Sequence, residues 1–271
     1  MRLIVLAACL LCLTMPAVLL ADEIGATNKK DTTAAPTRRE PAVCVGTFCY
    51  SIHSMSGRFA SEEHDRMLAA GGGTEATEAA VQAALKWLES RQAVDGSWGF
   101  DHNRNTPPDV GDCPNPGTLD ARYGATALAL LPYLGAGQTH KDGSYKGRVY
   151  AGLAYLVKNL RIDAREKVAF LQDKAGPLSH AWATMAMCEA YAMTHDKDLL
   201  APAQLSVNYL LQQQDEDTGG WNSSRNHQDL LLSAWCVRAL RAGHLGYLIV
   251  PKKNIIRAKE FTASRTHDGT S

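Results

Sequence analysis

Acids, histidines and aromatic side chains recur where apolar segments of this chain begin: Asp120 and Tyr123, then His180 and Trp182, then His227, Asp229 and Trp235. An acid can move a proton, aromatic rings can cage a ligand, and a Cys–His–Asp set can hold zinc. Asp112-Cys113-Pro114-Asn115 places an acid beside a thiol, but it lies among Pro107, Pro108, Pro114 and Pro116 and reads as loop. The chain has no Cys-x-x-Cys pair, and a zinc site from Cys113 with His102, His180 or His227 is not the expected reading. No metal and no cofactor are expected. The same residues have a plainer use. Asp120, Ser179 and Asp229 are good helix N-caps, and His180 or His227 can satisfy a loop carbonyl. Trp87, Trp98, Trp221 and Trp235 suit packing at joints. Capping and packing are the expectation, and Asp120, Tyr123, His180, Trp182, His227, Asp229 and Trp235 are kept as site candidates.

The elements that position these residues come from an internal repeat. Trp87-Leu88 leads to Gln92, then Asp95-Gly96-Ser97-Trp98; Tyr209-Leu210 leads to Gln214, then a run of acids, Gly219-Gly220 and Trp221. In each, a helix ends, a Gln amide is available for orphan backbone groups, a glycine makes the turn and a Trp covers the joint. Gln92, Gly96, Trp98, Gln214, Gly220 and Trp221 are taken as this structural motif.

Helical periodicity supplies the rest. Thr74 or Thr77 caps a helix from about Glu75 to Gln92, with Val81, Ala84, Leu85 and Leu88 on one face. Asp101 to Thr118 is a long Pro-rich loop. Segments 123–134, 180–193 and 230–242 are apolar on nearly all faces, as in buried helices. Segments 149–160, 202–214 and 254–264 are amphipathic; Pro202 is taken as the first turn of its helix, and a short helix is expected from Ala164 to Leu171. Ala129-Leu130, Ala186-Met187 and Ala239-Leu240 mark matching places at intervals of 57 and 53 residues. Trp87-Leu88, Tyr155-Leu156, Tyr209-Leu210 and Glu260-Phe261 do so on the amphipathic helices. An inner layer of apolar helices behind an outer amphipathic layer follows. Beyond Gly73 the chain is expected to be almost wholly helical.

Twenty-eight basic and 28 acidic residues cancel, so there is no electrostatic footprint for nucleic acid. Arg2 followed by the apolar run Leu3–Leu20 and Ala21 reads as a signal peptide over residues 1–21, with a retained membrane anchor as the rival. Residues 22–73 read as an exported linker in which Cys44–Tyr50 pairs as a short strand or hairpin; residues 74–264 form the repeat domain and 265–271 a tail. Of the cysteines beyond the signal, Cys188 and Cys236 sit in apolar runs and read as core.

The Gln…Asp-Gly-Ser-Trp and Gln…Gly-Gly-Trp endings resemble the repeat of squalene and terpenoid cyclases and of protein prenyltransferase β-subunits, an α/α toroid. Leu134–His140 and Ser179–Tyr191 look like bacterial exported proteins with prenyltransferase and squalene oxidase-type repeats. The resemblance covers Thr77 to Ser264. It implies an all-α fold, here a partial toroid of three to four helix pairs, with the inner-helix ends and the candidate residues facing a central cavity. The cyclase Asp-x-Asp-Asp acid, the prenyltransferase Asp-x-Cys zinc spacing and the complement-type thioester sequence are all missing. A non-catalytic exported binding or scaffold module is therefore expected, taking an unknown protein or a small apolar ligand. The alternative is an enzyme acting on an isoprenoid through an unidentified acid. An open arc with an apolar edge near Leu230–Leu240 is expected, the edge being covered by the Cys44–Met67 region, paired with a second chain in self-association, or left by a truncated reading frame.

Overall fold

A computed structural model of the chain describes residues 42–45, 48–51, 71–103, 111–224 and 227–266. Residues 1–21, where a signal peptide is expected, most of the expected linker and residues 267–271 of the expected tail lie outside the described residues. The expected Cys44–Tyr50 pairing is a two-stranded antiparallel hairpin, β1 (Ala42–Val45) and β2 (Phe48–Ser51), with Cys44 opposite Cys49.

Beyond it the described chain is mostly helical. The helices are α1 (Glu75–Ser90), α2 (Arg122–Gly135), α3 (Lys146–Lys158), α4 (Pro177–Thr194), α5 (Lys197–Gln212), α6 (Leu230–Leu245) and α7 (Lys252–Thr266). Helix α4 packs against both α2 and α6, making a row of three; α1 and α3 lie against α2, α5 against α4 and α6, and α7 against α6. The row is the core. Every one of Leu130, Leu134, Ala186, Met187, Cys188, Ala239 and Leu240 is at most 1% exposed. Helix α1 instead buries only Leu85, and α3 only Val149, Gly152, Leu153 and Leu156, one stripe each.

Helix α1 starts as its sequence asks: Thr74 Oγ1 accepts from Thr77 N at 3.2 Å, and Thr77 Oγ1 accepts from Thr74 N at 2.9 Å. It ends at Ser90, two residues short of the expected Gln92. Helix α5 departs further from expectation. It begins at Lys197 behind the N-cap Asp196, whose Oδ1 accepts from Asp198 N at 3.2 Å, so Pro202 lies inside it rather than opening it. Leu199, Ala203, Val207 and Leu210 are buried at helical spacing, and the burial of Leu199 recruits the extra turn before the proline.

The helix expected over Ala164–Leu171 is a β-hairpin: β3 (Arg161–Asp163) pairs antiparallel with β4 (Val168–Phe170). Asp163 Oδ1 accepts from Arg165 N and Glu166 N at 2.9 and 3.2 Å, and Lys167 takes a left-handed φ of 53°. Local side chain-to-backbone bonding thus closes a turn where a helix would have begun. Asn208 Nδ2 on α5 donates to Lys167 O at 2.8 Å and fixes the hairpin to its neighbour. A third small hairpin, β5 (Asn222–Ser224) and β6 (His227–Gln228), precedes α6. Among the described residues the chain beyond Gly73 is therefore mostly helical, as expected, with two short hairpins that the expectation did not include.

Candidate functional site

The two motif copies make the same bonds. Gln92 Nε2 donates to Gly96 O and Arg148 O, both at 2.9 Å; Gln214 Nε2 donates to Gly219 O at 2.8 Å and Asn254 O at 2.9 Å. Trp98 Nε1 donates to Leu88 O and Trp221 Nε1 to Leu210 O, at 2.7 and 2.8 Å. Trp98 N donates to Thr126 Oγ1 on α2, and Trp221 N to Ser233 Oγ on α6. Each motif therefore bolts an outer helix, an inner helix and the next outer helix together. The turn glycines are Gly96 (φ 87°) and Gly219 (φ 80°), where an added Cβ would strike the Ala151 and Arg257 carbonyls. That corrects the expected Gly220, which stands in the place of Ser97 and yields room to the Phe261 ring.

His180 serves the middle connection. It is 1% exposed; Leu171 N donates to its Nδ1 at 3.3 Å, and its Nε2 meets Ser206 O at 3.2 Å. That pattern makes the ring a neutral imidazole with the proton on Nε2. Burial lowers its pKa to about 4, against the Ser206 carbonyl, which favours the charged form. His180 thus holds the entering chain as Thr126 and Ser233 do in the flanking units. The intervals from Thr126 to His180 to Ser233 are 54 and 53 residues, so the matched position in α2 lies three residues beyond the expected Ala129-Leu130.

Among the expected caps, Asp229 is one, its Oδ1 accepting from Leu232 N at 3.0 Å. Asp120 and Ser179 are not. Asp120 pairs with Lys174 Nζ at 3.5 Å, and α2 is instead capped across space by Asp173, whose Oδ2 accepts from Tyr123 N at 2.9 Å and Gly124 N at 3.3 Å. Asp173 Oδ1 also accepts from Ser179 Oγ at 2.6 Å, inside the first turn of α4. Sequence reading passed over Asp173 because its partners on α2 are 49 and 50 residues away. The acidic turn just before Pro177 was the available sign.

The remaining candidates line the same end of the row. Tyr123 lies 5.9 Å from the Tyr155 ring, over which Arg122 also sits, at 5.8 Å. Arg122 bonds Asp95 and Ser97. Burial would raise the Asp95 carboxyl, but the Ser97 hydrogen bonds and the Arg122 charge outweigh it and hold it below the usual range. Trp182 packs edge-on to Trp235 at 6.0 Å and presses on Gly124, where a Cβ would come within 3.0 Å of its ring. Arg238 lies 5.5 Å over Trp235. His227 is placed on β6, next to the start of α6; its side chain lies outside the described residues.

At this rim Gly99, Phe100, Asp101, Thr118, Leu119, Asp120 and Arg122 line a recess of about 50 Å³, room for a few waters. Asp112 is exposed, and Cys113 is tied by backbone to Asn103, whose Oδ1 accepts from Cys113 N at 2.6 Å. His102 packs edge-on against Trp87 at 5.0 Å. Among the described residues no three His, Cys, Asp or Glu side chains converge as metal ligands. Compared with family models, with curated proteins and with solved structures, the chain gives no match.

Proposed function

We propose that the chain is an exported repeat protein whose helix pairs form an arc of an α/α toroid, and that it works as a non-catalytic binding or scaffold module. The observation that carries this reading is the bolt repeated bond for bond at Trp98 and Trp221, with His180 in the same place between them. Units joined this way, each inner helix beside the next, are what a helical arc requires. The open face of the row supplies the surface. On α4 the half-buried residues Leu178, Trp182 and Glu189 fall on one stripe, and Leu128 and Pro132 on α2 continue it. Its apolar part, Leu178, Trp182, Leu128 and Pro132, suits a small apolar ligand or an apolar protein segment. Leu230 and Leu231, 49% and 57% exposed at the start of α6, form the edge through which copies would associate. Cancelling charges give nucleic acid no foothold.

Export rests on the Arg2–Ala21 segment. Among the described residues no helix is long and apolar enough to cross a membrane.

Two experiments test the proposal. Titrating the protein with farnesol while following tryptophan emission is expected to perturb wild type, with the change reduced in Trp182→Phe. Incubation with squalene, or with farnesyl diphosphate and magnesium, is expected to return the substrate unchanged; a cyclised hydrocarbon or freed diphosphate would establish the enzyme reading instead.

A further inference from the structure

The two bolts differ in one place that bears on ligand binding. In the later copy, Arg257 on α7 reaches back and donates through Nη2 to the carbonyls of Asp215 and Glu216, filling the space between the motif turn and the helix. Its counterpart in the earlier copy is fixed by geometry: the turn glycine abuts Arg257 in one case and Ala151 in the other. The turn backbone matches too, since Gly219 N donates to Asp215 O and Gly96 N to Ala93 O, at 3.0 and 2.9 Å. The later turn carries one more residue between its Gln and its Gly.

With a methyl where the guanidinium stands, the earlier copy has a surface recess of about 460 Å³. Ala93, Val94, Ala151, Tyr145, Glu89 and Arg148 line it. Glu89 occupies the position of Leu211 and gives this recess a carboxylate on the helix, whereas the later copy carries its acids in the turn itself, Asp215, Glu216 and Asp217. Glu89 Oε1 lies 3.2 Å from Arg148 Nε, which leaves the pair neutral with carboxylate capacity to spare. Tyr145 offers a ring on which a planar cation stacks.

We infer that this recess is a docking site for an arginine side chain presented by a partner polypeptide, with Arg257 in the later copy as the internal likeness of that ligand. The carbonyls of the Ala93–Val94 turn and the Glu89 carboxylate receive the guanidinium. A lysine ammonium lacks the planar fork to bridge neighbouring carbonyls. The site lies on the outer layer and stands whether or not the inner face binds anything.

Calorimetric titration at low salt with a blocked Gly-Gly-Arg-Gly-Gly peptide tests it, with the lysine and citrulline analogues as comparisons. The arginine peptide is expected to bind about tenfold more tightly than either analogue. Ala151→Arg supplies the guanidinium from within, and its expected result is loss of peptide binding with a melting temperature no lower than wild type. No binding of the arginine peptide, or equal binding of all three peptides, overturns the proposal without any variant. So does peptide binding that persists in a folded Ala151→Arg protein.

Discussion

Trp98 and Trp221 are 3% and 2% exposed, and each indole N–H is spent on a helix-end carbonyl. Truncating either to Ala opens a ring-sized cavity and removes the indole hydrogen bond, so a loss of about 3–5 kcal/mol is expected for each, read from denaturant midpoints. His180 contributes a pH dependence of definite sign. Its folded pKa is about 4 and its ordinary value is 6.5, so the unfolded chain takes up a proton that the native core refuses. Stability is therefore full above pH 6.5 and falls by about 3 kcal/mol in all as pH drops to 4. His180→Asn should flatten that part of the curve. Asp196 acts in a lower window. Lys141, and behind it His140, hold its carboxyl at about 2, so its contribution is present above its ordinary 3.8 and fades only toward 2. At this scale the sequence told which residues matter but not always how. Of two adjacent glycines, nothing local says which has the positive φ, and partners of His180 lie 9 and 26 residues away.

Helices were legible wherever apolar periodicity ran for three turns or more, and the starts of α1 and α6 were legible in Thr74 and Asp229. Short segments were not. Val168–Leu171 is too brief for its period to separate strand from helix, and the turn that decides it is made by Asp163 bonding its own backbone. Pro202 misled in the other direction, because a buried leucine one turn earlier outweighs the proline's preference for a helix start. The cap on α2 is an element-scale device of a kind that periodicity does not show. Asp173→Ala removes the acceptor for two backbone N–H groups of α2 and for Ser179 on α4. A destabilisation of about 1–2 kcal/mol is expected. Amide exchange should accelerate first at Tyr123 and Gly124, whereas uniform acceleration along the chain would mean that α2 does not rely on this cap.

Over the whole molecule the repeat was visible as a phrase written twice, but its middle copy was not, since there a hairpin replaces the Gln, Gly and Trp and His180 takes the place of Thr126 and Ser233. Physical equivalence survives without letter equivalence: Gly152, Ser206 and Ala258 are buried small residues on successive outer helices, at intervals of 54 and 52 residues. The Trp98 ring needs that glycine, because a Cβ on Gly152 would lie 2.8 Å from it. The long loop falls outside this frame. From Trp98 to Trp221 is 123 residues, yet from Thr126 to Ser233 is 107, so all 16 surplus residues lie between the first tryptophan and its inner helix. Replacing residues 99–120 with a connection as short as that after Trp221 is expected to keep the melting temperature within a few degrees, at the cost of the Arg91 bonds to His102 O and Gly111 O, the His102–Trp87 packing and the Asp120–Lys174 pair. A large drop would show the loop to be part of the fold. In the ancestry of such a chain, that stretch is where length can drift without the bolts ever registering it. It is the coordinate along which descendants of one frame would be free to diverge.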